Sequence, residues 1–328
     1  MLKRTTALLV GISLLAPSSI FAATAPAKPA TPVAPVKSTA PVKAPAKAVV
    51  PAKTVAPVKK ATPAIPAKPA TPAATVVPAE VKSQPSELTK EFVMADAWYQ
   101  TAGEARALYY QAFTLADMML DKDLADKSIT QKRAVIVDID ETILDNSPHN
   151  VLMLQQGKEF NPVTWNEWVN LAEAKAVPGS VEFLNKAVKS GADVYYISNR
   201  SVDQIQATIK NLKAAGFPQA EESHMLFKDK VSSKEERRQQ VAKDHHIALL
   251  MGDNLVDFAS VFEAKPVAER NKAVDEMKDK FGKYFIVLPN PMYGDWESAL
   301  YNFNNKLTPE QKLEARHSAL TPYKSDIK

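Results

Sequence analysis

The chain has 328 residues, 45% of them apolar and 24% charged, enough for one large domain or two ordinary ones with a true core. It contains no cysteine, which excludes disulfides, thiolate zinc sites, cysteine nucleophiles and a lipid-modified N-terminal cysteine. The formal charge of +4 is unevenly spread: the first 78 residues carry ten basic side chains and no acid, so the remainder carries −6, a balance that argues against a nucleic-acid-binding domain.

Residues 1–25 combine a basic start (Lys3, Arg4), an apolar run over 7–16 and small residues at Ala22, Ala23 and Ala25. The run meets Pro17, well short of the roughly 20 apolar residues that span a bilayer, so the segment reads as a secretory signal peptide rather than a retained anchor. The mature protein is expected to be exported, to the periplasm, the cell surface or the medium. Residues 26–85 repeat Ala, Pro, Lys, Val and Thr, as in Pro26-Ala27-Lys28-Pro29-Ala30-Thr31-Pro32 and Pro66-Ala67-Lys68-Pro69-Ala70-Thr71-Pro72. Frequent proline blocks helix, and without aromatics no core can form, so an extended tether is expected. Its lysines suit anionic envelope polymers or head groups, and suit a plain solvated spacer equally.

From Ser86 onward the pattern is globular. Residues 87–127 carry apolar side chains at three- and four-residue steps and read as helical. Short apolar runs at 134–137, 194–197, 247–251 and 285–288 read as buried strands, with amphipathic helices at 181–189, 202–215, 234–243 and 269–280 between them. This alternation predicts an α/β, doubly wound, mostly parallel sheet covered by helices on both faces, with ligands beyond the carboxyl ends of the strands. His245 and His246, read as helical, would point about 100° apart and could not share a metal.

Three strand ends carry chemistry. Ala134-Val135-Ile136-Val137 runs into Asp138, Asp140 and Glu141; neighbouring carboxylates repel, so one must protonate or a cation must bind. The run ending at Ile197 is followed by Ser198, Asn199 and Arg200, all able to bind phosphoryl oxygens, although Ser-Asn is also an ordinary helix start. The run ending at Met251 delivers Gly252, Asp253 and Asp257, carboxylates suited to a hard cation such as Mg²⁺. Between the last two lie Lys228, Lys230 and Lys234, and Lys234 opens a helical stretch where phosphate could sit.

Taken together, these strand ends resemble those of the haloacid dehalogenase superfamily, and more closely its class C acid phosphatases, a family of bacterial exported or surface acid phosphatases and 5′-nucleotidases. The likeness rests on Asp138-Ile139-Asp140-Glu141-Thr142-Ile143-Leu144-Asp145-Asn146, Trp165-Asn166-Glu167-Trp168, Ala176-Val177-Pro178-Gly179, Ile197-Ser198-Asn199-Arg200, Gly252-Asp253-Asn254 with Asp257, and Tyr293-Gly294-Asp295-Trp296-Glu297. It spans almost all of the globular region and none of the tail. It implies one such domain over 86–328, with a small helical cap and an N-terminal helical extension.

The resemblance makes Asp138 the nucleophile and Asp140 the acid, then base, with Ser198 and Lys234 holding the transferring group. It places Mg²⁺ on Asp138, the backbone carbonyl of Asp140 and Asp253, with Asp257 as ligand or behind one. Asn199 and Arg200 would bind substrate. Trp165 and Tyr293 would stack on a nucleobase or other flat leaving group, although Trp165 and Trp168 lie three apart and one of them is expected in the core.

The expected activity is Mg²⁺-dependent hydrolysis of small phosphomonoesters, nucleoside monophosphates first, through an aspartyl-phosphate. Two alternatives stay open, a broad acid phosphatase without nucleotide preference and a non-catalytic envelope-associated binding protein. A nucleic-acid duplex is not an expected partner, and a homodimer is left open. Lipid anchorage does not carry over, because the chain has no cysteine. No Gly-x-Ser-x-Gly elbow, Gly-Lys-Ser/Thr phosphate loop or Gly-x-Gly-x-x-Gly fingerprint is present.

Overall fold

The computed structural model describes residues 86–324; the signal peptide (1–25) and tether (26–85) expected from the sequence lie outside the described residues. In chain order the helices are α1 (Glu87–Lys90), α2 (Val93–Thr101), α3 (Gly103–Ala125), α4 (Ser147–Gln155), α5 (Pro162–Leu171), α6 (Ser180–Lys189), α7 (Ile205–Ala215), α8 (Glu235–Ala242), α9 (Val267–Glu276), α10 (Asp295–Leu300) and α11 (Pro309–Ser318). The strands are β1 (Lys132–Val137), β2 (Leu144–Asp145), β3 (Lys175–Ala176), β4 (Asp193–Ser201), β5 (Met225–Lys228), β6 (His245–Gly252) and β7 (Phe285–Val287).

Five strands form one parallel sheet in the order β5-β4-β1-β6-β7. Successive side chains of a strand point to opposite faces, and β1 divides accordingly: Val135 and Val137 enter one apolar layer, Ala134 and Ile136 the other. The first layer is closed by Phe113 and Leu120 of α3, Leu184 of α6 and Leu212 of α7. The second is closed by Val241 of α8, Ala273 of α9 and the rings of Phe258 and Phe262. The sheet is thus wound on both faces, as the strand and helix alternation predicts.

The cap is the insertion between β1 and β4. It holds α4 and α5, and at its base β2 pairs antiparallel with β3, Leu144 opposite Ala176. Asn161 caps α5 by accepting the Val163 N–H at 2.8 Å, and Pro162 follows as its first residue.

Several boundaries differ from the sequence reading. The 87–127 stretch is three helices, because Ala102 is extended (ψ 131°) and turns α3 back, which brings the Tyr99 and Tyr109 hydroxyls to 2.5 Å. Strand β4 continues through Ser201, so Ser198 and Asn199 do not start a helix; Ser201 caps the following turn instead. His245 and His246 open strand β6 rather than ending a helix, and each has its own carboxylate, Asp193 at 2.9 Å and Asp123 at 2.8 Å. Among the described residues no helix is long and apolar enough to cross a membrane.

Candidate active site

The carboxyl ends of β1, β4, β6 and β7 converge on one lip of the sheet. Asp138 extends β1 by one residue, and its N–H donates to the Met251 carbonyl at 3.0 Å. On the other side of β6, Leu288 N–H donates to the Gly252 carbonyl at 2.9 Å. The turn after β6 folds Asp257 back onto the strand so tightly that a Cβ on Gly252 would lie 2.2 Å from Asp257 Oδ2. Only glycine leaves room for that carboxylate.

The fold therefore brings Asp138, Asp253 and Asp257 together, with one oxygen of each within 4.8 Å of the others. Lys234, the residue before α8, contacts Asp138 and lies 2.6 Å from Asp257 Oδ1. Asp138, Asp257 and Lys234 are buried. Burial pushes the Asp138 carboxyl well up, and Asp257 and Asp253 add to this against the pull of Lys234. Asp253 is pushed up to about 7 by burial and by Asp257. Burial works against the Lys234 ammonium, but Asp138 and Asp257 outweigh it and its pKa rises. With all three ionised, the carboxylates would exceed the one ammonium by two negative charges in a buried space, and an all-oxygen donor set of that charge fits a hard divalent cation. Thr142 and Asn290 orient Asp253: the Thr142 hydroxyl donates to Oδ1 at 3.1 Å and Asn290 Nδ2 to Oδ2 at 2.8 Å.

Asp140 is held differently. Its Oδ1 accepts from Arg200 Nη2 at 2.8 Å, Arg200 Nε at 3.0 Å and Asn146 Nδ2 at 2.9 Å. Its Oδ2 has longer contacts, Arg200 Nε at 3.3 Å and the Ser198 hydroxyl at 3.4 Å. The carboxylate thus turns to Arg200 rather than to the three-acid cluster, so only its backbone carbonyl is left as the metal contact expected at this residue. Arg200 lines the cavity as well. Its Nη1 donates to the Thr208 hydroxyl at 2.9 Å, so the guanidinium holds both a threonine and Asp140.

Asn199 lines the cavity while its Oδ1 accepts from Arg237 Nη2 at 2.6 Å, and Arg237 Nη1 donates to the Ser198 carbonyl at 2.6 Å. Glu141, the third acid of the motif, is not in the site. It is buried behind it in a left-handed turn (φ 55°), accepts the Asn146 N–H at 2.7 Å, and is pushed well up by burial.

A cavity of about 480 Å³ opens over this lip, lined by Asp138, Asp140, Asn199, Arg200, Lys234, Asp253 and Asp257 below and by Trp165 and Tyr293 above. Ser198 is fully buried and reaches the site through Asp140. Of the three candidate lysines only Lys234 lines the cavity. The two tryptophans divide as expected. Trp168 packs on the core and donates to Asn146 Oδ1 at 2.8 Å, while Trp165 faces the cavity with His149 (5.3 Å, edge-on) and Phe160 (6.1 Å) around it. Thr142 and Asn146 lie in the first motif, where spacing alone does not reveal their contacts; Asn290, Arg237, His149 and Phe160 carry no motif signal.

The family model for the HAD superfamily, subfamily IIIB (Acid phosphatase), matches residues 52–296. It starts inside the proline-rich segment, where the sequence reading placed no likeness. The class C acid phosphatase from Bacillus anthracis has a similar structure, with a TM-score of 0.70 and 48% identity over 73% of this chain and 100% of that one. A second structure of it, with tungstate bound, matches equally well. A stem 31 kDa glycoprotein from Glycine max is 27% identical over 216 residues, 63% of this chain and 73% of that protein. Acid phosphatase 1 from Solanum lycopersicum is 32% identical over 82 residues, 25% of this chain and 32% of that protein. With the family model covering most of the chain and the fold matching throughout the Bacillus protein, this chain belongs to the class C acid phosphatases, subfamily IIIB of the HAD superfamily, and is a phosphomonoesterase.

Proposed function

We propose that this acid phosphatase is exported, binds Mg²⁺ and hydrolyses nucleoside monophosphates through a phosphoryl group carried on Asp138. One observation carries the reading: Asp138 sits in a buried cluster with Asp253, Asp257 and Lys234, beside a second carboxylate, Asp140, held separately by Arg200. The tungstate-bound structure of the Bacillus anthracis protein adds weight, since tungstate is a tetrahedral oxyanion like phosphate.

In this mechanism an Asp138 oxygen attacks phosphorus, a P–O bond forms to the carboxylate and the bond to the leaving oxygen breaks. Asp140 gives its proton to that oxygen. Its Oδ2 is suited to hold the proton, because the short contacts from Arg200 and Asn146 all fall on Oδ1. The same carboxylate then takes a proton from the water that attacks the phosphorus, freeing Asp138 and releasing phosphate. Lys234 neutralises and positions the phosphoryl oxygens, and the Ser198 hydroxyl supports Asp140 from behind. Asp138, Asp253 and the Asp140 carbonyl would hold Mg²⁺, with Asp257 beside them; the ion supplies positive charge that offsets repulsion between a phosphate dianion and Asp138.

The aromatic wall of Trp165, Phe160 and Tyr293 favours a flat leaving group over a broad specificity. Export rests on the 1–25 segment, and a hold on the envelope rests on the lysines of the tail.

The test uses Asp138→Asn, with turnover expected to fall at least about 1,000-fold while the melting temperature stays near wild type. Turnover retained in that variant, or in excess chelator, removes the mechanism. Equal kcat/KM on nucleoside, sugar and simple aryl phosphates would leave the broad-specificity reading in its place.

A further inference from the structure

The cavity has a wall that the phosphate chemistry does not use. Asp96, on α2, lines it with only 4% of its surface exposed. Its Oδ1 is closed off from solvent and has no hydrogen-bond partner. No charged group acts on this carboxyl, so burial alone pushes its pKa up to about 6. Helix α2 packs on α4, and the α4 residues on the same cavity offer it no cation: burial keeps His149 low, with its ring on the Thr164 hydroxyl at 3.1 Å, and Asn150 turns its Nδ2 to Met292 Sδ at 3.5 Å. No donor on this wall reaches Asp96 Oδ1.

A buried carboxyl without a donor is unfavourable, and a donor that enters from the cavity side of the group relieves it. The aromatic side of the cavity, Trp165 with Phe160 and Tyr293, says what shape would enter. We propose that Asp96 is a specificity-determining residue for the leaving group, its carboxyl accepting a hydrogen bond from an amino group on a flat ring that lies along the aromatic wall. The assignment rests on the phosphomonoesterase reading and deepens it: the favoured substrates are phosphomonoesters whose leaving group carries an amino-substituted ring. A site built to hydrogen-bond such a group discriminates strongly against an analogue lacking it, because the acceptor is then left unpaired.

The test uses a pair differing only in that group, adenosine 5′-monophosphate and purine riboside 5′-monophosphate, with phenyl phosphate as a reference that has no amino group. In the protein supplied with Mg²⁺, kcat/KM is expected to favour the amino-bearing member about tenfold or more, chiefly through KM. In Asp96→Ala that ratio is expected to collapse to within about twofold of unity. A ratio of unity in the wild type overturns the proposal, as does an unchanged ratio in Asp96→Ala while both substrates slow in parallel, the pattern of a purely structural residue. Should Asp96→Ala fail to fold, Asp96→Leu fills the space without a buried polar group, and the same two outcomes decide there. No turnover of phenyl phosphate by the wild type would sink the enzymatic reading instead. Calorimetric Kd values for the nucleotide pair then decide the role of Asp96, unequal binding supporting it and equal binding removing it.

Discussion

Arg200 grips Asp140 with two nitrogens, Nη2 at 2.8 Å and Nε at 3.0 Å from the same oxygen, and its side chain is 1% exposed. An arginine at the end of a phosphatase strand invites assignment to phosphate binding, but here the fork is closed on a carboxylate and a threonine. In the proposed mechanism its place is to position the proton donor, Asp140. Arg200→Lys is therefore expected to lower kcat about 100-fold, since an ammonium cannot reproduce the planar fork, while KM for a simple aryl phosphate moves less than about twofold. A rise in KM with kcat intact would return Arg200 to the substrate.

Gly252 is the residue whose missing side chain lets the acid cluster close. A Cβ there would overlap Asp257 Oδ2 at 2.2 Å and Asp257 Cβ at 2.5 Å, and no rotation of Asp257 relieves a contact to its own Cβ. Gly252→Ala is expected to destabilise the protein by about 1–3 kcal/mol, a loss of roughly 2–12 °C in Tm for a domain of this size. It is also expected to raise the Mg²⁺ concentration needed for half-maximal activity. A melt and a metal titration unchanged from wild type would show that the turn after β6 moves freely.

The strands that deliver the site were legible because each is a short apolar run ending abruptly in acids or amides, and buried strands rarely end that way. Asp138, Asp253 and Asp257 are legible as one group because a parallel sheet puts all its strand ends on one lip. What the sequence hid follows from geometry that spacing does not encode. Met225–Lys228 is an edge strand whose apolar run, Met225-Leu226-Phe227, stops at Lys228, too short to stand out from the helical stretches around it. Arg200 and Asp140 are 60 residues apart, and nothing local tells that the guanidinium turns inward. Asn290 reaches Asp253 from the loop after β7, where an asparagine reads as ordinary turn chemistry. α11 carried a readable start, the capping box of Thr308 and Gln311 with Pro309 between them, but no apolar periodicity behind it.

Asp96 gives the protein a pH-dependent stability with a defined sign. Its carboxyl is raised to about 6 by burial, while in the unfolded chain it titrates near 4. Between those values the folded state holds a proton that the unfolded state has released, so stability falls as pH rises. The contribution is fully present below about pH 4 and gone above about pH 6. Asp96→Asn, which cannot ionise, is expected to gain Tm on the wild type progressively across that window, by a few degrees in total. Parallel Tm curves for the two proteins from pH 4 to 6 would show that the carboxyl is solvated or paired.

Trp165 tests whether the aromatic wall selects the leaving group. It stands over the cavity with the Arg200 guanidinium 5.5 Å from its ring centre and His149 edge-on to it, and it is not part of the core that Trp168 joins. Stacking a base on such a ring contributes about 1–3 kcal/mol, roughly 5- to 150-fold in kcat/KM. Trp165→Ala should therefore cost nucleoside monophosphates that much, whereas ribose 5-phosphate, which has no ring to stack, should change less than about threefold. Because the guanidinium under the ring also holds Asp140, a second outcome is informative. If ribose 5-phosphate loses as much as the nucleotides, the tryptophan acts through the Arg200 and Asp140 pair, and the leaving group does not lie against it.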